Sequence, residues 1–131
     1  MWTFAIIEGK IYDPSGQVLC KAYAGGNLGQ NPEDVNNPDA EGLANKGPLP
    51  EGWYTFGTPL DHSKLGKFAI PLIPDPSNDM KGRRGFYWHG DLTGGAYESG
   101  SEGCVVSAPT PRHTAWNSPD HRLQVVSSFS G

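Results

Sequence analysis

The chain opens with an apolar run, Trp2-Thr3-Phe4-Ala5-Ile6-Ile7, rich in the aromatic and β-branched side chains that suit a pleated surface. It predicts a strand. "DPSGQ" at 13–17 is turn chemistry, because Pro presets φ and Gly tolerates positive φ. Val18 to Tyr23 then returns, so the first 23 residues read as a hairpin. Further short apolar runs follow at Trp53–Phe56, Lys67–Ile73, Phe86–His89 and Leu123–Phe129, with a fragment at Val105-Val106. Gly, Pro, Asn and Asp punctuate the intervals. Residues 24–52 carry no periodic pattern, only the hint of a helical turn near 39–45, and a loop of that length in a compact domain is usually functional or disordered.

The pattern predicts one mostly-β domain over 1–131, a twisted sheet folded as a sandwich or partial barrel. Long Gly/Pro-rich loops and few, short helices complete the expectation. Gly 18 and Pro 12 would suit a disordered chain, but 14 aromatics (Phe 5, Tyr 5, Trp 4) supply a core. Alternation along Phe86-Tyr87-Trp88-His89 sets Tyr87 and Trp88 on opposite faces, one toward the core and the other toward cleft or solvent. Trp53 and Trp88 are expected in the core.

Net charge is -4, and the densest basic run is only "KGRR" at 81–84. A nucleic-acid partner, which needs a basic face, is therefore not expected. No stretch approaches the roughly 20 apolar residues of a membrane span, so no membrane insertion is expected. "MWTFAIIEGKIY" lacks a basic n-region and reads as no secretory leader. The expectation is synthesis in the cytoplasm with export by some other route.

Candidate chemistry lies in "HGDLTGGAYESGSEGCVV", residues 89–106. His89 ends the aromatic strand, and Cys104 follows 15 positions later behind Ser101-Glu102-Gly103. That interval lets the chain turn and bring both side chains together. A free thiol ionises near pH 8.5, so a nucleophilic Cys needs a base within hydrogen-bond reach. Gly103 would let a carbonyl approach the backbone closely, and the amides of Gly103 and Cys104 would serve as an oxyanion hole. Each residue also has a plain structural reading, Cys104 as a small buried hydrophobe and His89 as a strand-end ring bonded to backbone. The residues alone leave both readings open.

His-Gly on an aromatic strand, followed by Ser-Xaa-Gly-Cys-Val, resembles the L,D-transpeptidase catalytic domain of the YkuD type. "KGPLPEGWYTFG" resembles the entry into that family's catalytic sheet, and the likeness spans roughly 45–112. The chain is most similar to a compact branch of toxins delivered by type VI secretion systems. The resemblance implies Cys104 as nucleophile, His89 as general base, and a backbone carbonyl near Gly90 orienting the imidazole. Ser101 would brace the loop. The implied substrate is the tetrapeptide stem of peptidoglycan, attacked at its third residue with loss of the terminal D-Ala. Water would then give carboxypeptidase activity, and an amine would give exchange or cross-linking.

No cofactor is implied. A cognate periplasmic immunity protein is implied as partner, and the periplasm of a target cell as the place of action. Two departures stand out: Glu102 occupies a usual His position, and Val106 a usual Arg position. Arg112 in "APTPR" is expected to supply the missing positive charge, with Tyr87 and Glu102 also at the substrate. "LTGGAYESG", 92–100, is expected to act as a lid or specificity loop.

Other readings compete. A cysteine peptidase for another substrate, phage-borne or general, would use the same pair. A non-enzymatic phage-tail or wall-binding β module would not need Cys104 at all. Asp91 is an alternative orienter of His89, and His62 reads as an exposed turn residue. His113 and His121, with His89 and Cys104, lack the spacing of a zinc site, so no metal is expected. Cys20 reads as a core residue. A Cys20–Cys104 disulfide would abolish the chemistry, so the enzyme reading requires two free thiols.

Overall fold

A computed structural model describes residues 1–91 and 101–129. The expectation of a lid at 92–100 lies outside the described residues. Ten strands are present among them: β1 (Trp2–Ala5), β2 (Lys10–Tyr12), β3 (Val18–Lys21), β4 (Tyr23–Ala24), β5 (Gly52–Phe56), β6 (Leu60–His62), β7 (Gly66–Pro74), β8 (Tyr87–His89), β9 (Val105–Val106) and β10 (Arg122–Val126). One α-helix, α1 (Pro109–Asn117), packs on β7 and β8. The mostly-β, single-domain expectation holds.

The strands run in the order β3-β2-β1-β10-β5-β7-β8-β9-β4, with β6 pairing β7 off that path. β3 and β4 stand at opposite ends of the path yet are separated in the chain only by Ala22. The sheet therefore curls back on itself without closing its ladder. β1 runs parallel to β10, with Trp2 opposite Leu123, so both ends of the described chain share the sheet's middle. The inner face holds Phe4, Ile11, Tyr54, Ile70, Trp88 and Leu123, all fully buried.

Three sequence expectations are corrected. The first strand stops at Ala5, because Gly9 adopts φ 65° and its amide turns back to Ala5 and Ile6. That reversal inserts β2, so the hairpin across "DPSGQ" joins β2 to β3, its turn stitched by Asp13 Oδ1. Trp53 is half-buried, with the Arg122 guanidinium 4.8 Å above its ring, rather than a core residue. The helix was not placed from sequence, although the prolines of "PTPRHTAWN" belong in a first helical turn, where a missing N–H has no partner to lose.

Residues 24–52 form no long strand or helix. They are nonetheless pinned by 3-10 turns at Pro32–Asp34 and Pro38–Ala40 and by contacts with the chain around Ser101 and Arg83. β8 and β9 are parallel neighbours, with Trp88 opposite Val105 and His89 opposite Val106. By pleat alternation His89 and Tyr87 share a face, opposite to that of Trp88. The same register brings Cys104, one residue before β9, level with Tyr87.

Candidate active site

Tyr87 N–H donates to Cys104 Sγ at 3.3 Å, so the end of β8 holds the sulfur directly. Cys104 and His89 line one cleft of about 380 Å3, together with Tyr87, Glu102, Arg83 and His62. His89 is 1% exposed. Its Nδ1 lies 2.6 Å from the Gly90 carbonyl oxygen. A carbonyl only accepts, so Nδ1 carries the proton and the neutral ring presents a lone pair at Nε2. That Nε2 is buried without a hydrogen-bond partner among the described residues. Asp91 does not take the orienting role; its carboxylate accepts from the Tyr23 hydroxyl.

Burial dominates the electrostatics. It pushes the Cys104 thiol up to about 11, against smaller opposing effects of the Tyr87 amide, Arg83 and Lys64. Glu102, paired with Lys64 at 3.1 Å, pushes the same way as burial. Burial also lowers His89, and the Arg112 charge adds to that, against the Gly90 carbonyl. At neutral pH the resting pair is therefore thiol and neutral imidazole. Cys20 is likewise a free thiol, pushed up to about 11 by burial. The two sulfurs are not bonded to each other.

The loop before the nucleophile is built around Ser101. Its fully buried hydroxyl donates to the Cys104 carbonyl at 2.7 Å and accepts from the amides of Gly25 and Gly103, both at 2.9 Å. The Gly103 amide is thus already engaged, which removes it from the oxyanion hole that the sequence suggested. Gly103 itself is required by geometry, since φ is 140° and a Cβ there would lie 2.4 Å from Arg83 Nη2.

Sequence reasoning missed two residues. Arg83 donates to four carbonyls, those of Glu41, Gly47, Pro48 and Glu102, and so ties the long loop to the nucleophile loop. Its only sequence trace was the run "KGRR", read for charge alone. His62 lines the cleft with its ring edge-on to Tyr87 at 5.1 Å. Its Nδ1 accepts from the amides of Lys64 and Leu65, so Nε2 carries the hydrogen. Arg112 is also not where expected: it is buried and lines a different cavity. Val106 is fully buried between β8 and β4, where an arginine could not be accommodated. Among the described residues no three His, Cys, Asp or Glu side chains converge as a metal would require.

The site is a cleft on a curled β-sheet that holds a backbone-oriented histidine and a free cysteine. The Tlde1 domain model matches residues 21–128, and the chain belongs to that family of type VI secretion effectors. The fold is also similar to that of Bdellovibrio bacteriovorus Bd1075, with a TM-score of 0.61 at 15% identity. The likeness covers 99% of this chain and 48% of that one, so this chain spans about half its length. No curated protein matches the chain.

Proposed function

We propose that the chain is a cysteine enzyme that cuts or exchanges the terminal D-alanine of peptidoglycan tetrapeptide stems through a Cys104 thioester. The observation that carries this reading is the pairing at one cleft of Cys104 with a histidine whose Nδ1 is fixed on Gly90 O and whose Nε2 is free to take a proton. Family membership supports the wall as target.

The resting charges point to general-base activation rather than a standing ion pair. His89 Nε2 removes the thiol proton as Sγ attacks the carbonyl carbon of the third stem residue. The Cys104 amide takes the oxyanion role. Collapse of the tetrahedral species breaks the peptide bond, and the imidazolium gives its proton to the departing D-alanine amine. Water or a D-amino acid, deprotonated by the same Nε2, then attacks the thioester and releases the thiol. Tyr87, Glu102 and His62 contact the stem. Action takes place in the periplasm of a target cell, and a cognate immunity protein protects the producer.

Mass spectrometry of tetrapeptide muropeptides tests this reading. The protein should yield a tripeptide by loss of one D-Ala, or an exchanged tetrapeptide when a D-amino acid is supplied, or a dimer. Cys104→Ala should abolish every product while keeping the fold. Unchanged muropeptides with folded protein would overturn the stem-peptide chemistry.

A further inference from the structure

A second cavity, of about 470 Å3, opens beside Gly90 and shares no lining residue with the Cys104 cleft. Arg112 reaches it from the first turn of α1. The side chain is 4% exposed, and its Nε and Nη1 are buried without a hydrogen-bond partner among the described residues. Among the described residues no carboxylate forms an ion pair with it. A guanidinium keeps its charge even when buried, and it offers five donors in a planar fork that matches a carboxylate. Leaving such a group buried and unpaired is strongly unfavourable, so the arrangement calls for an anion.

The surroundings fit a small one. A Cβ at residue 90 would stand 3.1 Å from Arg112 Nη1, so Gly90 is what lets the guanidinium lie against the backbone. Ala108 and Pro109, at the positive end of the α1 dipole, also line the cavity. Pro109 and Pro111 have no N–H, so the helix end offers few amide donors and Arg112 is the main one.

Asp91 lines the same cavity without pairing to Arg112, its carboxylate accepting from the Tyr23 hydroxyl. A cation and an anion held apart in one cavity match a zwitterion. A phosphate or other polyanion would meet repulsion from Asp91. Lys21 also lines the cavity.

We propose that this cavity binds a small free α-amino acid, with its carboxylate on the Arg112 guanidinium and its ammonium toward Asp91. The choice of D-alanine as probe rests on the function proposed above, since that reaction releases or takes up a free D-amino acid. Binding itself does not depend on it.

Calorimetric titration of the Cys104→Ala protein with D-alanine, N-acetyl-D-alanine and acetate tests the site. D-alanine should bind, and Arg112→Met should weaken it at least tenfold. Asp91→Asn should weaken D-alanine while leaving acetate unchanged, and blocking the amine by acetylation should have the same sense. Circular dichroism checks the fold of each variant. Where Arg112→Met does not fold, Arg112→Lys keeps the charge, loses the fork, and should still weaken binding several-fold. The proposal falls if D-alanine does not bind, if folded Arg112 variants bind it undiminished, or if N-acetyl-D-alanine binds as tightly as D-alanine. Because the titrated protein lacks the nucleophile, these failures leave the thioester reading standing. A failure of the muropeptide experiment likewise leaves the binding result standing.

Discussion

The Ser101 hydroxyl donates to the carbonyl oxygen of Cys104 at 2.7 Å, so the residue three places upstream fixes the backbone that carries the Cys104 thiol. The Ser101 hydroxyl oxygen also accepts from the amides of Gly25 and Gly103. Ser101→Ala would leave two buried amides without an acceptor. The expected loss is about 2–6 kcal/mol of stability, given roughly 1–3 kcal/mol for each buried group left unsatisfied. Urea unfolding of the variant checks this. A loss under about 1 kcal/mol would mean the loop relaxes to find other partners.

Arg83 ties the 24–52 loop to the chain before Cys104, beside the amide bonds of Gly25 and Leu28 to Ser101 and of Leu49 to Gly103, and its planar fork matters more than its charge. Arg83→Lys should therefore destabilise by about 1–3 kcal/mol, since one ammonium cannot reach the carbonyls of Glu41, Gly47, Pro48 and Glu102 together. In a muropeptide assay kcat/KM should fall as well. A variant as stable and active as the parent would show that the loop is held by its own turns.

The Lys64–Glu102 pair at the cleft rim is a contrasting case. Lys64 is 63% exposed, so the ion pair is well solvated. Lys64→Ala should change stability by less than about 1 kcal/mol. Its effect should appear in substrate affinity, as a change in KM with kcat nearly unchanged. A large shift in Tm would contradict this.

Burial makes His89 harder to protonate, so it stays neutral, and able to act as base, below the usual imidazole range. The acid limb of the kcat/KM profile should lie below about pH 6.5, the ordinary value. Thiol labelling should be slow at neutral pH for both cysteines, because both titrate near 11. A fast-labelling Cys104 at pH 7, or an acid limb above 6.5, would mean that the pair is already ionised at rest.

The same shifts bear on alkaline stability. Each cysteine titrates near 9 when unfolded and near 11 in the fold. Between those values the unfolded chain has lost protons that the native state keeps, so stability falls as pH rises. Tm should drop from pH 8.5 to pH 10.5, and by less in a Cys20→Ser, Cys104→Ala protein. An equal drop in both proteins would place the alkaline sensitivity elsewhere.

Much of this was legible along the chain. Short apolar runs between Gly and Pro punctuation define most of the strands, because alternation and turn chemistry are local. Trp88 in the core and Tyr87 on the cleft side follow from the two-residue period of a strand. Cys104 and His89 stood out as candidates through the His-Gly and Ser-Xaa-Gly-Cys motifs, which the residue types alone left open to a structural reading. The interval between them also permits a return of the chain.

Other features depend on contacts between distant segments, which no local pattern encodes. Arg83 matters only because four carbonyls from two loops converge on it. His62 reaches the cleft because β6 folds onto β7 beside Tyr87. The Gly103 amide is engaged by a hydroxyl two residues away, and the loop needs a left-handed φ to bring them together. Arg112, expected to offer its charge to substrate carboxylates, rides on α1 and lines a cavity separate from the Cys104 cleft. Composition and periodicity determined the β class, since it follows from side-chain chemistry and near neighbours, and the family resemblance singled out Cys104 and His89 as candidates. Only the tertiary structure decided which groups surround that pair, because hydrogen bonds and burial are set by segments far apart in the chain.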